Sequence, residues 1–268
     1  MEAPNTPSQP TPAPMSLLDF VSPTQFVDLP SKGKVYPEEH PLHNKDSVEI
    51  RFMTAKDEDI LSSESLLKKG IAIDRLVQNV LIDKNISVDS LLIGDKNAIL
   101  VACRISGYGN IYETEVICPS CNAKNQLSFD LNTVRVHYGC YKEGETHSVN
   151  HMLTLPHSKV NLEIRLLTSK DEKTMVKKIR ESQKRKDQST TITDQYKMMI
   201  VSAQGVSDRS QISQFVDLMP VSDSKVLREH YKQICPNIEM KEQFECVSCS
   251  HEQELEVPFN ADFFWPKS

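Results

Sequence analysis

Apolar positions along this chain switch between two periods, and the switches recur in the same order twice. Val48, Ile50 and Phe52 alternate with Glu49 and Arg51, the two-residue period of a half-buried strand. Thr54 with Asp57 three places later signals a helix start. The pattern then predicts a helix over 55–69, stopped or bent at Gly70, and a second over 71–83 with Ile71, Leu76, Val80 and Leu81 on its apolar side. A third is expected over 96–105, closed by Gly107. A strand over 111–117 runs into Cys118-Pro119-Ser120-Cys121, and Leu127, Phe129 and Leu131 alternate in a return strand.

From Val160 the order repeats. A strand over 160–167 leads to Thr168 with Asp171, then to a long basic helix through Lys177, Lys178, Arg180, Lys184, Arg185 and Lys186. Helices are predicted over 193–203, 209–218 and 224–234, and strands over 241–245 and 252–257 flank Cys246-Val247-Ser248-Cys249. The repetition extends to single residues. Residues 48–58 match 162–172, and Asp95 to Cys118 matches Asp223 to Cys246 at an offset of 128, as do Leu127 with Leu255 and Asn132 with Asn260. The expectation is an α+β protein of two duplicated strand–helices–strand–knuckle–strand units. They cover 26–137 and 159–268, joined by a polar linker or hairpin over 138–158.

Residues 1–25 break the pattern. Pro4, Pro7, Pro10, Pro12, Pro14 and Pro23 lie among Ser, Thr and Ala, a composition that buries no core and is expected to be extended or disordered. Its apolar piece holds Leu17, Leu18 and Phe20, which suit a short motif that orders on a partner. Residues 26–37 follow as a structured loop, with Gly33 suited to a turn.

The two Cys-x-x-Cys pairs carry the chemistry. A short turn of this kind puts two sulfurs within reach of one ion, and four thiolates close a structural zinc site. Cys118, Cys121, Cys246 and Cys249 are therefore expected to hold one Zn2+ that clasps the two units. An iron–sulfur cluster, incomplete separate sites, a disulfide or no metal are the competing readings. Cys103 lies among Ile99, Leu100 and Val101 and reads as a buried thiol. His251, two places after Cys249, is a substitute ligand, and His147 with His151 a weaker pair in polar surroundings. The aromatics Phe263, Phe264 and Trp265 must fold back onto the core or bury in a partner. With the residues near position 20, they are the candidate partner-binding set.

Composition narrows the function. A net charge of −6 argues against a general grip on nucleic acid, so the basic run reads as a solvated helix face or a contact with an acidic partner. No apolar run is long enough to span a bilayer, no signal-peptide pattern is present, and folding in a cytoplasm is expected. The chain has only eight glycines and no phosphate-cradling, nucleophile-elbow or metalloprotease motif. No small-molecule substrate and no enzyme activity are indicated.

Three segments carry a resemblance: Leu29-Pro30-Ser31-Lys32-Gly33 with Tyr36-Pro37, Met53-Thr54-Ala55 with Asp57-Glu58, and Phe263-Phe264-Trp265-Pro266 after a Cys-x-x-Cys. Together they resemble the T4-type bacteriophage baseplate protein family, over most of residues 26–266. The resemblance implies a baseplate hub subunit or hub-assembly factor of a contractile tail, not an enzyme, with other tail proteins as partners and the virion tail as location. The alternative is a zinc-ribbon nucleic-acid-binding or transcription-associated module.

Overall fold

The structure is a computed structural model that describes residues 23–140, 149–185, 190–256 and 261–264. Thr24–Asp28 (β1) pairs antiparallel with Ser47–Arg51 (β2), which buries Val48 and Ile50. The helical stretch predicted over 55–69 is two helices, Ala55–Ser62 (α1) and Glu64–Lys69 (α2), because Ser63 takes an extended ψ between them. Gly70, with φ +71°, ends α2 in the left-handed region. Ala72–Val80 (α3) follows, and Leu81 leaves the helix to bridge Ile50. Ile93–Tyr108 (α4) runs past the expected stop at Gly107, which stays helical and packs beside Met53.

Ile111–Ile117 (β3) and Lys124–Asp130 (β4) form a ribbon, and Arg135–His137 (β5) follows. The span read as a linker holds a strand, Asn150–Thr154 (β6), paired with Asn161–Arg165 (β7). Its polar alternation hid it, since Asn150 and Thr154 face side chains across the pair rather than the core. Next come Ser169–Arg185 (α5) and Thr191–Met199 (α6). The helix expected over 193–203 stops at Met199, because Ile200–Ala203 (β8) adds to β7 as a third strand. These β-branched and small residues are drawn into the sheet against any local helical preference. Arg209–Leu218 (α7) and Val221–Ile234 (α8) lead to Asn237–Glu239 (β9), then to a second ribbon, Lys241–Glu245 (β10) with Glu252–Glu256 (β11).

The same contact set recurs in each half. Arg51 forks onto Asp57 at 2.6 and 3.0 Å, and Arg165 onto Asp171 at 2.8 Å for both bonds. Asp57 accepts from Thr54 N–H, and Asp171 from Thr168 N–H. Each array ties a strand end to the first turn of a helix, where a carboxylate is favoured. Buried Asp95 accepts from the Ser31 N–H, the Ser31 hydroxyl and the Tyr36 hydroxyl, and buried Asp223 accepts from the His157 and Ser158 N–H groups. The loops after β1 and β6 are thus both seated on an aspartate near the start of a later helix.

One apolar core runs through both halves, from Val27 to Phe264. Helix α4 lies across it, burying Ile99, Leu100 and Cys103. A β-carbon on Gly94 would fall 2.1 Å from the Pro236 carbonyl oxygen, so the first turn of α4 touches the other half's backbone. Strand β5 pairs with β9, a second link between the halves. Among the described residues no helix is long and apolar enough to cross a membrane.

Candidate metal centre

Both knuckles are built by the same local rules. The Cys118 N–H donates to Ala123 O at 2.9 Å and Asn122 N–H to Cys118 O at 2.9 Å. In the second, Cys246 N–H donates to His251 O at 3.0 Å and Ser250 N–H to Cys246 O at 2.9 Å. Asn122 and Ser250 take left-handed φ values of 57° and 51°, which turns each chain back so that both sulfurs of a pair face one side.

The ribbons then meet tip to tip. The Sγ atoms of Cys118 and Cys249 are 3.7 Å apart, and those of Cys121 and Cys246 3.6 Å. All four sulfurs lie within 4.8 Å of one another. A tetrahedron of sulfurs around zinc at about 2.3 Å has edges of about 3.8 Å, so the spacing fits one ion. It is far too long for a sulfur–sulfur bond. The pairing is crossed: the first cysteine of each pair lies near the second of the other.

Electrostatics at Cys246 favours a ligand. Burial opposes its thiolate, but the Ser248 and Cys249 N–H groups and the Cys121 and Cys118 sulfurs bring its pKa down to about 6. Cys121 goes the other way, to about 12: the Ala123 backbone favours its thiolate, but the neighbouring Cys249 sulfur and desolvation outweigh it. With no cation present, four close sulfurs cannot all ionise; a bound cation would remove that conflict.

Around the sulfurs packing is thin. Val116, Cys118, Phe244 and Cys246 form a small cluster flanked by Ala123, Leu127 and Leu255, separate from the main core. Asn125 is the residue that sequence reasoning missed. Its Oδ1 accepts from Val247 N–H at 3.0 Å and its Nδ2 points at Cys246 Sγ at 3.6 Å, which ties the first ribbon to the second knuckle. Asn125 lies between Lys124 and Gln126 at the polar start of β4, where one more polar residue carried no periodic signal.

Other predicted site residues divide. His251 bonds to Gln253 at 3.1 Å and lies outside the sulfur cluster. Cys103 is buried, and burial lifts its pKa to about 12. Phe263 and Phe264 are 0% and 1% exposed. Phe263 packs edge-on against Tyr112 at 5.1 Å, and its carbonyl accepts from buried Arg104 at 2.8 Å. Of the two expectations for these rings, folding back agrees with their burial: their apolar area packs against this chain's own core. Leu17, Leu18, Phe20, Trp265 and His147 lie outside the described residues.

The family described as T4 bacteriophage base plate protein matches residues 22–265. Comparison with curated proteins and with solved structures gives no match.

Proposed function

The chain belongs to the T4 bacteriophage base plate protein family, and from that membership we propose that it is a structural or assembly component of the baseplate hub. It acts by binding other tail proteins, in the virion tail or on the way to it in the host cytoplasm, and carries no catalytic activity. The observation that carries the reading is the family match over nearly the whole described chain. The rigid body such a role needs rests on one zinc ion bound by Cys118, Cys121, Cys246 and Cys249, supported by sulfur spacings of 3.6 and 3.7 Å.

We further infer that the body is a duplication. Support comes from the Arg51–Asp57 and Arg165–Asp171 forks, the loops seated on Asp95 and Asp223, and the two like knuckles. The pairing of β6 with β7, like that of β1 with β2, supports counting β6 with the second unit, whose start the sequence suggested at 159. Leu17, Leu18, Phe20 and Trp265, all outside the described residues, remain the proposed partner-binding residues.

Mass spectrometry of purified mature virions and of tail intermediates tests the role. A structural subunit is found in both. An assembly factor is found in the intermediates alone, with tails failing to form without it. Absence from both, with normal tails made by a deletion phage, overturns the reading.

A further inference from the structure

We propose that the groove between α5 and the α2–α4 face is a docking site for an acidic amphipathic helix of a neighbouring tail protein. The inference rests on the baseplate reading above. The groove encloses about 660 Å³. Its accessible apolar lining is Ile71, Ile73 and Val176, backed by buried Leu100 and Phe264. One wall is α5, of whose described residues only Ser169 is fully buried; its Met175 packs on the core and Lys178 pairs with Asp194 of α6 at 2.8 Å, while Val176 and Lys177 line the groove. From Glu172 to Lys184 the wall runs about 18 Å at 1.5 Å per residue, the length of about three helical turns.

Charge selects the occupant. Two lysines near the floor are already satisfied: Lys96 bridges Asp74 and Glu172, and Lys173 bridges Asp74 and Asp89. The rim carries Lys69, Lys177 and Lys184, together with Arg180, which has a partner of its own, against Glu181. Lys177 and Glu181 are 4.0 Å apart and both well exposed, a pair that offers little stability. Among the described residues Lys69 and Lys184 make no ion pair. The Arg180 guanidinium lies across Gly70, where a β-carbon would come within 2.6 Å of it, so the basic rim reaches over to the end of α2. A basic rim above an apolar floor, on a chain of net charge −6, suits a helix with an apolar stripe and acidic flanks. Nucleic acid fits less well, because among the described residues the one ring lining the groove, Phe264, is buried and offers no stacking face.

The test compares the full chain with a Lys177→Glu, Arg180→Glu, Lys184→Glu variant during tail assembly. Carbodiimide joins lysines directly to carboxylates, and mass spectrometry of cross-linked tail intermediates reads the partners. The expected result is Lys177 or Lys184 joined to Asp or Glu of another tail protein. The variant, with wild-type circular dichroism and thermal midpoint, should enter intermediates about tenfold less well, since opposed rim charges control encounter and register. A Val176→Ser variant, which keeps the charges and spoils the floor, should also enter less well. Wild-type incorporation of the triple variant overturns the proposal. So does a double-stranded DNA oligonucleotide that binds the wild type and not the variant while assembly is unaffected. Absence of the wild-type protein from every intermediate overturns the baseplate reading itself, an outcome distinct from presence without groove cross-links.

Discussion

Two aspartates and four cysteines show how single side chains hold this molecule. Burial works against ionisation at Asp57, but the Arg51 fork, the Thr54 N–H and the Asn79 amide outweigh it and hold the pKa at about 2, below the ordinary 3.8. Asp171 is lowered likewise: burial opposes it, and Arg165 and Thr168 prevail. A depressed carboxylate contributes stability above its unfolded pKa and loses it as pH falls through the folded value. Urea melts between pH 7 and pH 2 should therefore show Asp57→Asn about 2 kcal/mol less stable near neutrality and converging on wild type at the acid end. Equal pH slopes for the two proteins would refute the pairing as the source. At the sulfurs, metal analysis should find about one zinc per chain, and Cys118→Ser and Cys246→Ser should each abolish it, because four thiolates close a structural site. Full zinc retained by Cys246→Ser would end the shared-site account.

At the scale of elements, the two ribbons are the weak part of the fold. Each is a two-stranded hairpin, and such a pair is marginal without further packing. The cluster between them is centred on four buried residues. Metal binding should then supply much of their order, since binding energy becomes folding energy where no preformed site survives unfolding. Hydrogen exchange after chelation should speed up sharply in β10, β11 and the knuckle ends of β3 and β4, and change little in α3, α4 and the far end of the β3–β4 ribbon, whose residues Leu76, Val77, Val80, Ile99, Tyr112 and Phe129 are buried in the main core. Uniform loss of protection would show that the metal holds the whole fold. Helix α4 is the counterpart of this weakness. Arg104, 1% exposed, donates to the carbonyls of Phe263, Gly109 and Ile111 at 2.8, 2.6 and 3.0 Å. Arg104→Ala leaves the buried Phe263 carbonyl, and the part-buried carbonyls of Gly109 and Ile111, short of a donor and should cost about 2 kcal/mol, measured by chemical denaturation. A loss below about 1 kcal/mol, the size of one ordinary hydrogen bond, would mean that water replaces the guanidinium.

The whole molecule is one body, because a single core crosses from Val27 to Phe264 and α4 of one half packs on the backbone of the other. Strand β1 begins at Thr24, so deletion of residues 1–22 should spare the fold, with unchanged circular dichroism and zinc content. The same deletion removes Leu17, Leu18 and Phe20 and should impair incorporation into baseplates. Normal infectious tails from a phage carrying it would remove the proposed docking role. Trp265→Ala requires circular dichroism alongside, since its neighbours Phe263 and Phe264 are core residues.

The sequence by itself determined what depends on short spacings. Thr54 with Asp57 and Thr168 with Asp171 set the helix starts, the Cys-x-x-Cys pairs set two knuckles, and α7 spans the predicted 209–218, because caps, turns and period are local forces. It also carried the matched offset of Cys118 and Cys246 and the family resemblance. Tertiary structure decided the rest. Ile200–Ala203 became a strand because β7 offered it an edge, and Asn150–Thr154 a strand for the same reason. Phe263 and Phe264 turned inward because Tyr112 and Arg104 stood ready to receive them. The four sulfurs could be paired on paper, but only the packing of distant segments brings them within 4.8 Å, since no local preference specifies a contact across more than a hundred residues.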